Sequence, residues 1–189
     1  MAYGGGEIVG VDPATESGIA RGVPGGVPVL RVVDFRVHST DTNAVIFKHA
    51  TLWIAQYFQR PPEALFIEPP IPPRKLSDDK LAGTNAIMIA MGLYALFVGI
   101  AAVKGVAVYN APIQSWRSVF FGTGNGHLKR NVAKRKAKDA CRILGWDCAG
   151  NDNAAEAGGI WTFGVNVLAP NKMPALHKLS PLFARSQAA

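Results

Sequence analysis

The stretch EIVGVDPATESGIAR, residues 7–21, decides the fold class. Its first six residues form a short apolar segment that ends in Asp12, and Pro13 breaks the segment there. Residues 17–21 then have the composition of a return strand, and residues 29–37, rich in β-branched side chains, follow a Gly/Pro-rich turn as a third strand. Strands joined by such short turns should be antiparallel neighbours.

Downstream of these three strands, the pattern alternates between strands and helices. The predicted elements are a helix over 42–59, a strand over 64–68, a helix over 79–103, a strand over 106–110, and helices over 112–121, 129–144 and 151–167. This order predicts an α/β fold with a mixed five-stranded sheet, three antiparallel strands and then parallel strands, flanked by helices. We expect one domain over residues 1–170 and a basic C-terminal tail over 171–189.

Composition excludes several classes of protein. The chain has 189 residues, of which 49% are hydrophobic and 17% charged, so it is neither disordered nor large enough for several domains. Two cysteines, Cys141 and Cys148, cannot build a disulfide scaffold or a four-cysteine zinc site. Residues 1–7 lack the basic and apolar regions of a signal peptide, and we expect a cytoplasmic protein with reduced thiols.

One segment raises the question of a membrane. Residues 86–103 form an uncharged run of 18, the length of a spanning helix, but the run contains two glycines and five alanines, and a strand follows at once. We expect a helix buried inside the α/β domain and no membrane insertion.

Four acidic residues stand at positions where chemistry is expected. Asp12 and Glu68 each end an apolar strand, and functional sites in open α/β sheets gather at the carboxyl ends of strands. Asp152 and Glu156, at i,i+4, lie on one face of the last helix, although Asp152 could instead be a helix cap. Four carboxylates suit two Mg²⁺ ions, with Mn²⁺ as a substitute, and such a pair can promote phosphodiester hydrolysis.

The positive charge is concentrated in one part of the chain. Residues 117–142 carry eight Lys and Arg against the single acid Asp139, within a chain of net charge +7. A run of one sign beside a Gly-rich loop is typical of phosphate contacts. The candidate nucleic-acid-binding residues are Arg117, Lys129, Arg130, Lys134, Arg135, Lys136 and Lys138.

Two further features of this region are its loop glycines and its aromatic residues. The glycines of the loop over 122–127 are not followed by Gly-Lys-Ser/Thr, so we expect no nucleotide cofactor. The aromatic residues Trp116, Phe120 and Phe121 could stack on unpaired bases, but their spacing favours the buried face of a helix.

Five segments in register resemble the RuvC-type Holliday-junction resolvases, which have the ribonuclease H-like fold. Residues 8–20 resemble the opening strand and turn of that family, and residues 66–68 its second acidic strand. The other matching segments are 106–112, a later strand with its proline, 122–132, a Gly-rich loop leading to a lysine and a valine, and 152–157, the closing acidic helix.

The resemblance implies a divalent-metal endonuclease that acts on branched DNA, usually as a homodimer. Asp12, Glu68, Asp152 and Glu156 would be the metal ligands, and Lys129 would match the family's lysine near the scissile phosphate. The family's closing pair is usually two aspartates at i,i+3. Here Asn153 stands at i,i+3 from Glu156, so either Asp152 or Asn153 could be the ligand.

Two alternatives remain at this point. The first is a branched-DNA-binding module with the same fold and no catalysis. The second starts from residues 10–15, which also resemble the first phosphate loop of actin-like ATPases and sugar kinases, but those need two such domains and a much longer chain.

Overall fold

The structure, a computed structural model, describes residues 3–70 and 81–174, without the side chains of 81–84. Most of the predicted tail, and residues 71–80 between the fourth strand and the second helix, lie outside the described residues. The strands are β1 (Ile8–Asp12), β2 (Glu16–Gly22), β3 (Val29–Asp34), β4 (Ala64–Ile67) and β5 (Ala107–Asn110). The helices are α1 (Asn43–Tyr57), α2 (Leu81–Val103), α3 (Ile113–Phe121), α4 (Arg130–Leu144) and α5 (Asp152–Leu168), followed by a 3₁₀ turn at Pro170–Lys172.

The strands form one sheet in the order β3-β2-β1-β4-β5. β1, β2 and β3 are antiparallel neighbours, whereas β4 pairs parallel to β1 and β5 pairs parallel to β4. The predicted mixed five-stranded α/β fold is therefore confirmed. The third strand ends at Asp34 rather than at residue 37, and the Asp34 carboxylate accepts a hydrogen bond from the backbone N–H of Arg36, which turns the chain away from the sheet.

Helices cover both faces of the sheet and define two cores. Side chains alternate along β1, so that Val9 and Val11 pack with α1 and α2, whereas Ile8 packs with α3, α4 and α5. β1 as far as Val11 and the whole of β4 are free of polar side chains, because each of their faces is covered.

Two glycines bring α5 unusually close to the sheet. A Cβ at Gly10 of β1 would lie 2.5 Å from the backbone N of Trp161, and a Cβ at Gly18 of β2 would lie 1.9 Å from the backbone O of Asn153. No side chain fits between these strands and the helix. The first turns of α5 are therefore fixed against the strand end that carries Asp12.

Helix α2 differs from the prediction of a buried central helix. One stripe, Ile89, Leu93, Phe97 and Ala101, is buried against α1 and the sheet, but only 22% of Asn85–Val103 is buried. This segment is long and apolar enough to cross a membrane by length and composition. A run that is apolar on every side carries no signal of which side is covered, and for this reason the sequence did not predict its exposed face.

Candidate active site

The sheet register brings Asp12 and Glu68 together. Val11 of β1 pairs with Ile67 of β4, and the backbone N–H of Glu68 donates to the Val11 carbonyl over 3.0 Å. The next residues of these adjacent parallel strands are the two acids, which lie about 5 Å apart in the backbone. Side chains alternate between the two faces of a sheet along each strand, and the two acids occupy equivalent positions. Both side chains therefore lie on the face of the sheet that α5 covers.

Glu156 enters the same site from α5. The Asn151 side chain caps this helix by accepting hydrogen bonds from the N–H groups of Asn153 and Ala154. Glu156 follows one turn later and is 7% exposed, next to the Ala157 carbonyl that touches Gly10. The approach of α5 to β1 thus places a buried carboxylate beside the strand end.

Burial raises the pKa of each of these three carboxylates, and the charge of a neighbouring acid raises it further. Burial raises the pKa of Asp12 well above its ordinary value, and the charges of Glu68 and Glu156 raise it further. Burial also raises the pKa of Glu68 to about 7, although a hydrogen bond from Trp116 opposes the rise. The pKa of Glu156 is raised by burial against the opposing charges of Lys134 and Arg117.

Asp152 has a different environment from the other three acids. Its carboxylate contacts two lysines of α4, with Lys138 Nζ at 2.9 Å and Lys134 Nζ at 3.2 Å. The hydrogen bond from Lys138 and that from Lys134 lower the pKa of Asp152. Asp152 is not the helix cap, a role that Asn151 takes. The other candidate, Asn153, donates its amide N–H to the Glu16 carbonyl over 2.7 Å.

A cleft of about 290 Å³ opens beside Asp12 and Glu68. Pro13, Pro69 and Pro70 line it from the strand ends. The rest of the lining among the described residues comes from Ala86, Ile87 and Ala90 of α2 and Arg130 of α4. The site therefore has an apolar wall on one side and a positive charge on the other.

The predicted basic residues fall into two groups. Lys129, Arg130 and Arg135 are exposed. Lys134 and Lys138 contact Asp152, and Lys136 donates to the Asn125 side chain over 2.9 Å. Arg117 is 7% exposed, and its Nη2 lies 3.5 Å from Glu156 Oε1. This placement corrects the predicted DNA contact of Arg117, because a buried guanidinium beside a carboxylate is not available to a phosphate at the surface.

Sequence reasoning named two residues of this site without predicting their contacts with its acids. Trp116 is fully buried, as its spacing predicted, but its Nε1 also donates to Glu68 Oε2 over 2.6 Å. Lys134, expected only to contact DNA, is the lysine whose charge acts on both Asp12 and Glu156. Its i,i+4 spacing from Arg130 and Lys138 was the available signal, since it places all three on one face of α4.

The donor set suits a hard divalent cation. Within residues 3–70 and 81–174, no three His, Cys, Asp or Glu side chains stand arranged as a finished metal site. The three converging carboxylates resist ionisation because they are buried and close to other acids, and a bound cation would stabilise their ionised forms. Asp12, Glu68 and Glu156 therefore offer the oxygen ligands that such an ion prefers.

The raised pKa values predict how stability depends on pH. Between the ordinary pKa of 4.5 and the folded value of about 7, Glu68 binds more protons in the folded chain than in the unfolded chain. The free energy of unfolding should therefore fall as pH rises through this window, by about 1–3 kcal/mol without divalent cations. Thermal unfolding in EDTA between pH 4.5 and pH 8 measures the effect.

The variant Glu68→Gln serves as the control for this dependence. It should flatten the decline in stability, and Mg²⁺ should stabilise the unsubstituted protein more at pH 8 than at pH 5. A decline of equal steepness in both proteins would contradict the assignment of the repulsion to this carboxylate cluster.

Comparisons with known proteins bear on the fold. No protein-family model matches the chain, and no curated protein matches it in sequence. Among solved structures, Thermus thermophilus RuvC matches with a TM-score of 0.56 at 16% identity, over 85% of this chain and 96% of that one. T. thermophilus RuvC in complex with a Holliday junction substrate matches with a TM-score of 0.58 at 16% identity, over 89% of this chain and 98% of that one. The chain has a RuvC-like, ribonuclease H-like fold.

Proposed function

We propose that this protein is a metal-dependent, structure-selective DNA endonuclease that cleaves four-way junctions or other branched DNA. The observation that carries the proposal is the convergence of Asp12 and Glu68 at adjacent strand ends with Glu156 of α5. The fold shared with a RuvC that was solved on a Holliday junction supports branched DNA as the substrate class.

The residues of the site have distinct roles in this proposal. Asp12, Glu68 and Glu156 would hold Mg²⁺, or Mn²⁺ in its place, and Asp152 would complete the ligand set if its lysines released it. When bound, a pair of such ions supplies a nucleophilic water and stabilises charge on the phosphate. Arg130, which lines the cleft, and its exposed neighbour Lys129 hold the DNA phosphates in place. The products would carry 5′-phosphate and 3′-hydroxyl ends.

A cleavage assay on a panel of DNAs tests the proposal. The panel contains a four-way junction, a fork, a flap and a linear duplex of matched sequence, each with Mg²⁺, Mn²⁺ or EDTA. We expect cleavage of at least one branched DNA, dependent on the cation, and no cleavage of the duplex. Purified protein that cuts none of the branched DNAs with either cation would overturn the proposal.

One observation favours a second candidate, a branched-DNA-binding module without catalysis. Lys134 and Lys138 already neutralise Asp152, and Arg117 lies beside Glu156. Calorimetry with Mn²⁺ separates the two candidates. The nuclease requires cation binding that is lost in Glu68→Gln, whereas the inactive module binds junction DNA and shows no such cation binding.

The exposed basic residues at the site predict the strength of DNA binding. Replacing Lys129, Arg130 and Arg135 together by alanine should weaken junction binding by about 10–100-fold near physiological salt. The salt dependence of log K should become shallower by about 0.9 for each phosphate that the variant no longer neutralises. Fluorescence anisotropy over a salt series measures both quantities.

A second triple variant controls for net charge. Arg60, Lys104 and Lys172 are exposed at the opposite end of the sheet, and replacing them by alanine removes the same three charges. This variant should bind within about threefold of the unsubstituted protein, because long-range charge contributes less than direct contacts. Equal weakening in both variants would show that net charge, rather than this surface, governs binding.

We further propose that α2 forms a homodimer interface. Its outward face exposes Met88 (57%), Met91 (48%) and Val103 (85%), an apolar surface on a helix otherwise packed on α1. Contiguous apolar surface on a folded domain is typical of association. A second copy of the chain, offering the same face about a two-fold axis, would cover it.

Sedimentation velocity tests the dimer. The unsubstituted protein should sediment as a dimer of 20.1 kDa chains, and the double variant Met88→Glu, Met91→Glu as a monomer. Val27→Glu, at an exposed valine in the turn between β2 and β3, should remain dimeric. A monomeric unsubstituted protein would refute the interface, and binding to phospholipid vesicles that the double substitution removes would assign the face to a membrane.

A further inference from the structure

Two neighbouring residues of α3 contact carboxylates that come from two different elements. Trp116 Nε1 donates to Oε2 of Glu68, after β4, over 2.6 Å. Arg117 Nη2 lies 3.5 Å from Oε1 of Glu156 in α5. One helix turn thus reaches two of the three converging acids.

The indole of Trp116 is held rigidly. The side chain is fully buried, and its ring packs edge-on against Phe121 at 5.7 Å between centroids. On the other side it lies against Gly159 of α5, where a Cβ would come within 2.7 Å of the ring. An indole N–H can only donate, so it commits one oxygen of Glu68 and leaves the other available.

The guanidinium of Arg117 is also fixed from several sides. Its Nη1 donates to the Leu128 carbonyl over 3.2 Å, and its Cζ lies 5.3 Å from the centroid of the Trp116 ring. Its buried Nε has no hydrogen-bond partner within the described part of the chain. Burying the positive charge of Arg117 costs free energy, and the carboxylate that offsets this cost is Glu156. The guanidinium therefore faces Glu156 rather than solvent.

We propose that Trp116 and Arg117 are positioning residues that fix the side chains of Glu68 and Glu156 for a divalent cation. The inference rests on the proposed nuclease function and adds the residues that orient its metal-binding carboxylates. Such outer contacts orient ligating carboxylates, and their loss commonly costs about 10–100-fold in metal affinity or activity. Neither residue touches the DNA in this assignment.

Kinetics on the full chain provide the first test. Trp116→Phe should lower kcat for junction cleavage by about 10–100-fold and leave KM for the DNA unchanged. The matched control is Trp161→Phe, which removes another fully buried indole whose Nε1 donates to the Gly22 carbonyl over 3.2 Å. Trp161→Phe creates a similar cavity and should keep kcat within about threefold. Equal losses of kcat in the two variants would overturn the proposal.

Indole N–H signals in ¹⁵N NMR provide a second test that requires neither cleavage nor a folded Trp116 variant. With assignment by triple resonance, the Trp116 signal should move in Glu68→Gln and on addition of Mg²⁺, whereas the Trp161 signal should stay. A Trp116 signal that responds to neither change would refute the positioning role. If the signal responds but no branched DNA is cut, the positioning role stands and the nuclease function fails.

Discussion

Replacing Asp12 by asparagine should abolish junction cleavage and at the same time stabilise the cation-free protein. Asp12 is the acid on which the charges of both Glu68 and Glu156 act. Asparagine keeps the shape of the side chain but removes the charge that would hold a cation, so we expect a fall in cleavage rate of about 10³-fold or more. The same change relieves repulsion in the free protein, and its melting temperature in EDTA near pH 8 should rise.

Opposite movements of activity and stability make this prediction specific. A variant that simply unfolds loses both, whereas Asp12→Asn should still bind the junction within about threefold of the unsubstituted protein. Asp139→Asn is the control, because Asp139 is an acid of α4 whose ion pair is with the exposed Arg142. It should leave cleavage unchanged. Substantial cleavage by Asp12→Asn would remove Asp12 from the site.

The sequence predicted the sheet and its two strand-end acids because both depend on local signals. An apolar run broken by proline defines the end of β1, and parallel pairing with β4 then places Asp12 and Glu68 side by side. The role of Asp152 could not be predicted in the same way. Its spacing from Glu156 is compatible with a shared cation, and only the packing of α4 on α5 shows that Lys134 and Lys138 reach it.

Trp116 shows a second reason why parts of the site were not predictable. Burial of the ring follows from helical spacing, but the direction of its N–H depends on how closely α3 approaches α5 at Gly159. Arg117 was expected to contact DNA because it belongs to a run of basic residues, and its partner Glu156 is 39 positions away in the sequence. Both the direction of the Trp116 N–H and the burial of Arg117 depend on contacts between elements that are far apart in the sequence.

Replacing Gly18 by alanine should be the most destabilising single substitution that we predict. The new Cβ would lie 1.9 Å from the Asn153 carbonyl oxygen and 2.4 Å from its carbon, and these backbone atoms cannot rotate away. Either β2 or the start of α5 must move, so we expect a loss of about 3 kcal/mol or more in the free energy of unfolding. Urea unfolding followed by circular dichroism measures it, and failure to yield folded protein is the extreme of the same result.

Gly158→Ala in α5 is the matched control for this packing argument. A Cβ there meets Leu30 and Trp146 at 3.5 Å, which is ordinary van der Waals contact. Alanine is favoured over glycine inside a helix, so this variant should be as stable as the unsubstituted protein or up to about 1 kcal/mol more stable. If Gly18→Ala is equally well tolerated, α5 does not lie directly against β2. Glu156, which α5 carries, would then lose the framework that brings it to Asp12.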